Sequence, residues 1–174
     1  MKEQSKANNV TNSLTIVLFI IYLIAICWIL LFKLGVRFSY MGKRSVNLIP
    51  FSEQSILNSE NILNAVIFVP LGVYTGILFR RWTFGKNLCF FFLLSSTVEG
   101  LQYIFRIGAF DVTDIITNTL GGITGLIIFT TIDKAFNDGV KAQKFINIIA
   151  ATGTILMILL LVLLKMNMLP VRYQ

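Results

Sequence analysis

The fold is decided by the stretch Leu14-Thr-Ile-Val-Leu-Phe-Ile-Ile-Tyr-Leu-Ile-Ala-Ile-Cys-Trp-Ile-Leu-Leu-Phe32, which contains no charged residue. A helix needs about 20 predominantly apolar residues to cross the hydrocarbon core of a bilayer. Further apolar runs follow at 62–79, 88–104, 115–132 and 145–164. The sequence therefore predicts an all-α protein, a polytopic membrane helical bundle of about five transmembrane helices, here called spans one to five.

Composition supports a membrane location. Of the 174 residues, 56% are hydrophobic and 13% are charged, and the mean hydropathy is +0.79. A soluble domain carries about 25% charged residues, so much of this protein's surface must face lipid. The formal net charge is +7, but the basic residues are spread among the connections rather than clustered on one soluble face. We therefore expect a multi-pass protein of the cell membrane whose partner is the lipid bilayer and not nucleic acid.

The expected organisation is a cytoplasmic N-terminal segment (1–13), a transmembrane domain (14–164) and a C-terminal tail (165–174). The connection Arg80–Asn87 carries three basic residues and no acidic one. Short connections rich in Lys and Arg stay on the cytoplasmic side. Because successive spans alternate in direction, this rule predicts a cytoplasmic N-terminus and an external Asn47–Phe51 segment. The sequence leaves the oligomeric state open.

Cofactor chemistry has little support in the sequence. The chain has no histidine, and its two cysteines, Cys27 and Cys89, lie inside apolar runs. A zinc site of the usual nitrogen and sulfur type is thereby excluded. We expect buried free thiols that behave as small apolar side chains, and neither a metal nor a cofactor.

Glu99 is the residue that packing alone explains least. An ionisable side chain inside a membrane span costs at least about 2.5 kcal/mol unless it is paired, hydrated or protonated. Ser95, Glu99, Gln102 and Arg106 follow one another at helical spacing, so they form one stripe on span three, with Gln102 able to bridge the two charged residues. We interpret this stripe as functional; the alternative is a polar patch at a helix end that only stabilises packing.

Span four carries a second polar stripe, of Asp111, Asp114 and Asn118, followed by Gly121, Gly122 and Gly125. The glycines have the small-xxx-small spacing that lets two helix backbones approach closely. The aspartates also have a structural interpretation, because Asp111 can cap the helix and Asp114 lies three residues further on, as in a capping box.

Span two carries Asn64 and, towards its other end, Pro70, Gly72 and Gly76. Upstream, the segment Asn47-Leu-Ile-Pro-Phe51 is short, apolar and restricted by Pro50. Taken alone, this segment is compatible with an ordinary loop.

Chain connectivity brings these pieces together. The end of span three, the starts of spans two and four and the segment 47–51 all lie on one membrane side, whichever way the protein is inserted. We therefore predict a ligand-binding cluster formed by Asn47, Asn64, Glu99, Gln102, Arg106, Asp111, Asp114 and Asn118. The residues predicted to be structural are Pro50, Phe51, Pro70, Gly72, Gly76, Gly121, Gly122 and Gly125.

These residues carry a resemblance to the VanZ family of bacterial membrane proteins. The matching stretches occur in order across residues 47–125: Asn47-Leu-Ile-Pro-Phe51, Asn64-Ala-Val-Ile-Phe-Val-Pro-Leu-Gly72, Glu99-Gly-Leu-Gln102, Arg106-Ile-Gly108 and Asp111-Val-Thr-Asp-Ile-Ile-Thr-Asn-Thr-Leu-Gly-Gly122. The resemblance implies reduced susceptibility of a Gram-positive bacterium to teicoplanin and related lipid-bearing glycopeptides, through limited antibiotic binding at the cell surface.

Two main hypotheses about activity remain open, beside a transport or scaffold role. The first is a protein without enzymatic activity whose outward-facing polar cluster binds a cell-envelope component, such as a cell-wall precursor, or the antibiotic. The second is a membrane enzyme that modifies a lipid-linked envelope precursor, with Glu99, Asp111 or Asp114 as general acid or base. The sequence shows no obvious nucleophile, so the first hypothesis is favoured.

Overall fold

The computed structural model describes residues 2–32, 45–51 and 58–165. Within these residues the elements are α1 (Lys2–Phe32), β1 (Val46–Asn47), α2 (Ser59–Leu78), α3 (Phe84–Phe105), β2 (Phe110–Asp111), α4 (Val112–Phe136) and α5 (Gly139–Lys165). All five helices contain a stretch that is long and apolar enough to cross a membrane. The all-α, five-span architecture predicted from the sequence is confirmed. Most of the connection between spans one and two, and the tail beyond Lys165, lie outside the described residues.

The helices begin earlier than the apolar runs because polar residues cap them. Asn58 accepts a hydrogen bond from the Glu60 N–H at 2.6 Å, and Thr83 accepts one through its side chain from the Lys86 N–H. Asp138 Oδ1 accepts from the Val140 N–H at 2.9 Å. Such caps satisfy N–H groups that have no partner inside the helix. Hydropathy alone omits these first turns, and the polar segment 1–13 is likewise part of α1 from Lys2 onward.

The chain divides into two compact units, a terminal unit (residues 1–22 and 136–174) and a central unit (residues 23–135). In the terminal unit, hydrogen bonds between side chains join α1 to α5. Thr15 Oγ1 donates to Asn147 Oδ1 at 3.0 Å, and Gln143 Nε2 donates to Thr15 Oγ1 at 2.7 Å. Asn147 Nδ2 also donates to the Thr11 carbonyl oxygen at 3.1 Å. Hydrogen bonds of this kind hold transmembrane helices together where the surroundings supply no other partner.

In the central unit, α2 and α4 touch through their backbones. A Cβ added to Gly121 would overlap the carbonyl oxygen of Ala65, and one added to Gly125 would overlap that of Val69. On the α2 side, a Cβ on Gly72 would overlap the carbonyl oxygen of Gly122 on α4. The predicted glycine spacing therefore lies at a contact where no side chain would fit.

Two further glycines of the central unit make room for aromatic rings. A Cβ on Gly122 would lie 2.6 Å from Cγ of Phe91 on α3, and one on Gly76 would lie 2.6 Å from Cγ of Phe129. Both rings are buried. The first contact brings α3 against α4, and α2 continues unbroken through Pro70.

The cysteines differ from expectation. Both Cys27 and Cys89 are free, as predicted, but their side chains are exposed rather than buried. In a membrane helix an exposed thiol can face lipid at no cost in hydration, so an apolar run does not by itself indicate burial in protein.

We expect Gly121→Ala to destabilise the protein by about 1–3 kcal/mol, since the added methyl group meets a backbone carbonyl that cannot turn aside. Gly100→Ala is the matched control, because a Cβ there meets nothing within 4 Å and alanine favours the helix by up to about 1 kcal/mol. Thermal unfolding in detergent measures the difference. Equal melting temperatures for the two variants would contradict the packing argument.

In the terminal unit, Asn147→Leu should lower stability by about 0.6–2 kcal/mol, because both side-chain amide bonds to α1 are lost. Thr154→Val serves as its control, because the Thr154 hydroxyl bonds the Ala150 carbonyl oxygen of its own helix, at 2.8 Å, and makes no bond to α1 among the described residues. The same melting measurement applies, and an Asn147 variant as stable as the Thr154 variant would show that the α1–α5 bonds contribute nothing.

Candidate functional site

The segment upstream of α2 pairs with the connection between α3 and α4. Val46 lies opposite Phe110 and Asn47 opposite Asp111 in a two-residue parallel ladder. The Phe110 N–H also donates to the Ser45 carbonyl oxygen at 3.1 Å. This pairing, which periodicity did not predict, places the Asn47 side chain beside the first turn of α4.

Asp111 is the centre of the site. Its Oδ1 accepts from the Thr113 N–H at 2.7 Å, which is the expected helix cap. Its Oδ2 accepts from Asn47 Nδ2 at 3.1 Å. Its own backbone N–H donates to Glu99 Oε2 at 3.1 Å. Asp111 thus connects the upstream segment, α3 and α4 in one hydrogen-bonded chain.

The turn at residues 49–51 is fixed by two bonds to the same cluster. The Ile49 N–H donates to Asn47 Oδ1 at 3.3 Å, and the Phe51 N–H donates to Thr113 Oγ1 at 3.2 Å. Phe51 has a φ of 56°, a left-handed conformation that is uncommon for a bulky side chain. Pro50 is exposed between them. The turn therefore holds a strained conformation against the start of α4.

Glu99 lies on the buried face of α3. Its exposed fraction is 2%, and Ser95 and Gln102 on the same face are also buried. Removing a carboxylate from water is costly unless hydrogen bonds replace its hydration. The Asp111 N–H supplies one such bond, at 3.1 Å, and it links the buried Glu99 side chain to the connection between α3 and α4.

Arg106 does not continue this face, contrary to the predicted stripe. The helix ends at Phe105, and Arg106 adopts a left-handed conformation, with φ 58° and ψ 32°. Its side chain is exposed. Helical spacing places residues on one face only while the helix lasts, so Arg106 does not share the buried face of Glu99 and Gln102. Gln102 Oε1 lies against Gly108, where a Cβ would be 3.0 Å away.

Asn118 extends the site towards the interior of the bundle. Its Nδ2 donates to Ser95 Oγ at 2.9 Å, joining α4 to α3. Its Oδ1 is buried and has no hydrogen-bond partner in the part of the chain that the structure describes. A buried acceptor without a donor costs about 1–3 kcal/mol. Asn118 is 1% exposed, so this acceptor lies in the protein interior beside Ser95.

Two further predicted residues, Asp114 and Asn64, lie on α4 and α2. Asp114 is half-buried in the first turn of α4. Asn64 is half-buried on α2, and no hydrogen bond between described residues joins it to Asp111 or Glu99. Two contributors were not predicted as site residues: Thr113, which stands between two predicted aspartates, and Ser45, which contributes only its backbone and so leaves no side-chain signal.

The arrangement offers acceptors more than donors. Glu99 and Asp111 supply carboxylate oxygens, and Asn118 supplies an amide oxygen. Such a set suits a ligand that carries hydroxyl, amide or ammonium groups. A buried carboxylate can also exchange a proton with a bound group when the two are within hydrogen-bond reach.

Comparison with known proteins agrees with this architecture. Protein VanZ of Enterococcus faecium is 38% identical to this chain over 146 residues, which cover 82% of this chain and 87% of that protein. No similarity to a solved structure was found. The family model described as VanZ/LLP1 matches residues 19–133, a range that includes β1, α2, α3, β2 and nearly all of α4. The chain therefore belongs to the VanZ/LLP1 family of membrane proteins.

Proposed function

We propose that this protein lowers the susceptibility of its cell to teicoplanin and other lipid-bearing glycopeptides by limiting antibiotic binding at the outer surface of the membrane. The proposal rests on family membership and on likeness to protein VanZ. The polar cluster around Asp111 is the part of the molecule that binds the antibiotic or a cell-wall precursor.

The observation that carries the proposal is the buried Glu99 carboxylate, bonded to the Asp111 N–H at 3.1 Å. Intramembrane ionisable residues are expensive to bury, and they mark binding or transfer sites. Its neighbours supply an amide, a second carboxylate and the Asn118 acceptor. A polar ligand with several hydrogen-bond donors, such as a peptide or sugar portion of the envelope, matches that chemistry.

A second candidate function is modification of a lipid-linked envelope precursor. The observation in its favour is that the Glu99 carboxylate accepts a hydrogen bond from the backbone of a second acidic residue, Asp111. One carboxylate can act as general acid or base, and the exposed Arg106 guanidinium suits a phosphate or carboxylate group. Mass spectrometry of envelope lipids and peptidoglycan precursors, with and without the protein, tests this. A new covalent product would favour the enzyme.

The binding proposal requires the cluster to face outward. With Cys27 and Cys89 replaced by alanine, we expect Leu48→Cys to react with a membrane-impermeant maleimide in intact cells, and Gly85→Cys to react only after lysis. Both positions are exposed, and a Cβ on Gly85 meets nothing within 4 Å. Labelling of Gly85→Cys in intact cells would reverse the orientation and exclude direct antibiotic binding at this cluster.

We expect Glu99→Gln to abolish teicoplanin protection while leaving the amount of membrane protein unchanged. Glutamine keeps the shape and an oxygen that accepts from the Asp111 N–H, so only the charge and the proton-binding group are lost. Arg106→Gln and Asp114→Asn should cause a similar loss, and Asp111→Asn a smaller one because asparagine caps helices nearly as well. The measurement is the inhibitory concentration of teicoplanin in a susceptible Gram-positive host, with vancomycin, which lacks a lipid tail, as the comparison drug.

Asp138→Asn is the matched control for these variants. Asp138 caps α5 as Asp111 caps α4, and it pairs with Lys141 at 3.9 Å. Removing its charge should leave protection intact. Full teicoplanin protection by a normally abundant Glu99→Gln protein would show that the Glu99 carboxylate contributes to packing and not to function.

A further inference from the structure

A second polar site lies at the opposite end of the central unit, where α2 ends, α3 begins and α4 ends. A cavity of about 400 Å³ opens there, within the range of about 300–1,000 Å³ that is usual for ligand pockets. The sequence predicts no binding site at this end. None of the residues that line the cavity belongs to the cluster around Asp111.

The walls of the cavity are aromatic. Phe79 and Trp82 stack with their ring centroids 4.3 Å apart, and both line the cavity together with Phe129. Gly76 makes room for the Phe129 ring. Aromatic side chains are enriched where a membrane helix meets the lipid headgroups. Three aromatic rings at one end of the membrane spans are typical of the depth at which lipid headgroups meet their acyl chains.

Arg80 is the cationic side chain that lines the cavity. Nη2 of Arg80 donates to Asp133 Oδ1 at 3.1 Å, and the guanidinium carbon lies 5.5 Å from the centre of the Phe129 ring. Carboxylate and ring together hold the guanidinium at the mouth of the cavity. A guanidinium has five N–H donors, so it can bridge a carboxylate to a phosphate.

The surroundings of the cavity are positive. Residues 79–90 and 126–136 contain Arg80, Arg81, Lys86 and Lys134 against the single acid Asp133. The α3 helix begins at this end with no acidic residue in its first turn, and the start of a helix carries a partial positive charge. An anionic ligand is favoured.

Asn87 indicates that the ligand carries a hydrogen-bond donor. It lines the cavity, and its side chain is 3% exposed. Its Nδ2 donates to the Thr83 carbonyl oxygen at 3.2 Å, whereas its Oδ1 has no hydrogen-bond partner among the described residues. This buried acceptor needs a donor such as a hydroxyl group, which a bare phosphate diester does not carry.

We propose that this cavity binds the headgroup of an anionic phospholipid that carries a free hydroxyl, as a glycerol headgroup does. The phosphodiester lies on Arg80, a headgroup hydroxyl donates to Asn87 Oδ1, and the acyl chains extend over the aromatic wall. Basic pockets between transmembrane helices hold anionic headgroups in this way. The site is separate from the polar cluster proposed to act on the antibiotic.

Trp82 allows a direct test. The chain has two tryptophans, so Trp28→Phe leaves Trp82 as the only indole reporter in the full-length protein. In a neutral detergent, short-chain phosphatidylglycerol should change the Trp82 emission saturably. Phosphatidylcholine with the same acyl chains should produce no saturable change. Equal responses to the two lipids would overturn the proposal, and so would soluble glycerol phosphate binding as tightly as the lipid.

Substitutions of Arg80 and Asn87 test their proposed contacts with the lipid headgroup. Arg80→Gln should weaken phosphatidylglycerol binding about tenfold, whereas Arg81→Gln, an exposed neighbour that does not line the cavity, should change it less than twofold. Equal losses would indicate unspecific attraction and overturn the site. Asn87→Leu should remove the preference for phosphatidylglycerol over phosphatidylmethanol, which lacks the hydroxyl; a retained preference would overturn the role of Asn87. The comparison of the two lipids uses the Asn87→Leu protein alone, so its result does not depend on whether Arg80→Gln folds.

Discussion

The backbone contact between α2 and α4 is the constraint on which the rest of the central unit depends. Gly121 and Gly125 meet the carbonyl oxygens of Ala65 and Val69, and lipid tails provide no hydrophobic force that would push larger surfaces together. Close packing of the two backbones therefore holds α2 and α4 together. Once α4 lies at this distance, its first turn is brought to the start of α2, and its last turns carry Phe129 against Gly76 at the other end.

Hydrogen bonds then join the segments that the glycine contact between α2 and α4 brings close together. The Asp111 side chain and backbone bond Asn47, Thr113 and Glu99, so three separate stretches of chain converge on one residue. Non-helical backbone within or near a membrane is tolerated where its polar groups are satisfied inside the protein. The ladder between β1 and β2 does this for part of the segment before α2. The loops here are therefore part of the site and not merely links between spans.

Much of this was predictable from the sequence, for identifiable reasons. The spans follow from apolar length, the glycine contact from small-xxx-small spacing, and the gathering of Asn47, Glu99 and Asp111 from the alternation of spans. The rest depends on tertiary detail. Arg106 leaves its stripe because the helix ends one residue earlier. The α1–α5 bonds join residues about 130 positions apart, and the cavity beside Arg80 is formed by three elements, so no local pattern indicates either.

The carboxylates of the site differ in whether they lie at the start of a helix. Asp111 caps α4 and Asp114 lies in its first turn, where the partial positive charge of a helix start stabilises an anion. Their presence has a structural cause whether or not they bind anything. Glu99 lies nearly two turns before the end of α3, beyond the reach of either helix end, since that field falls off within one turn. Its burial at 2% exposure depends on hydrogen bonds such as that from the Asp111 N–H. The helix start thus gives both aspartates a structural role in addition to the proposed binding, whereas Glu99 is the carboxylate that no helix end stabilises.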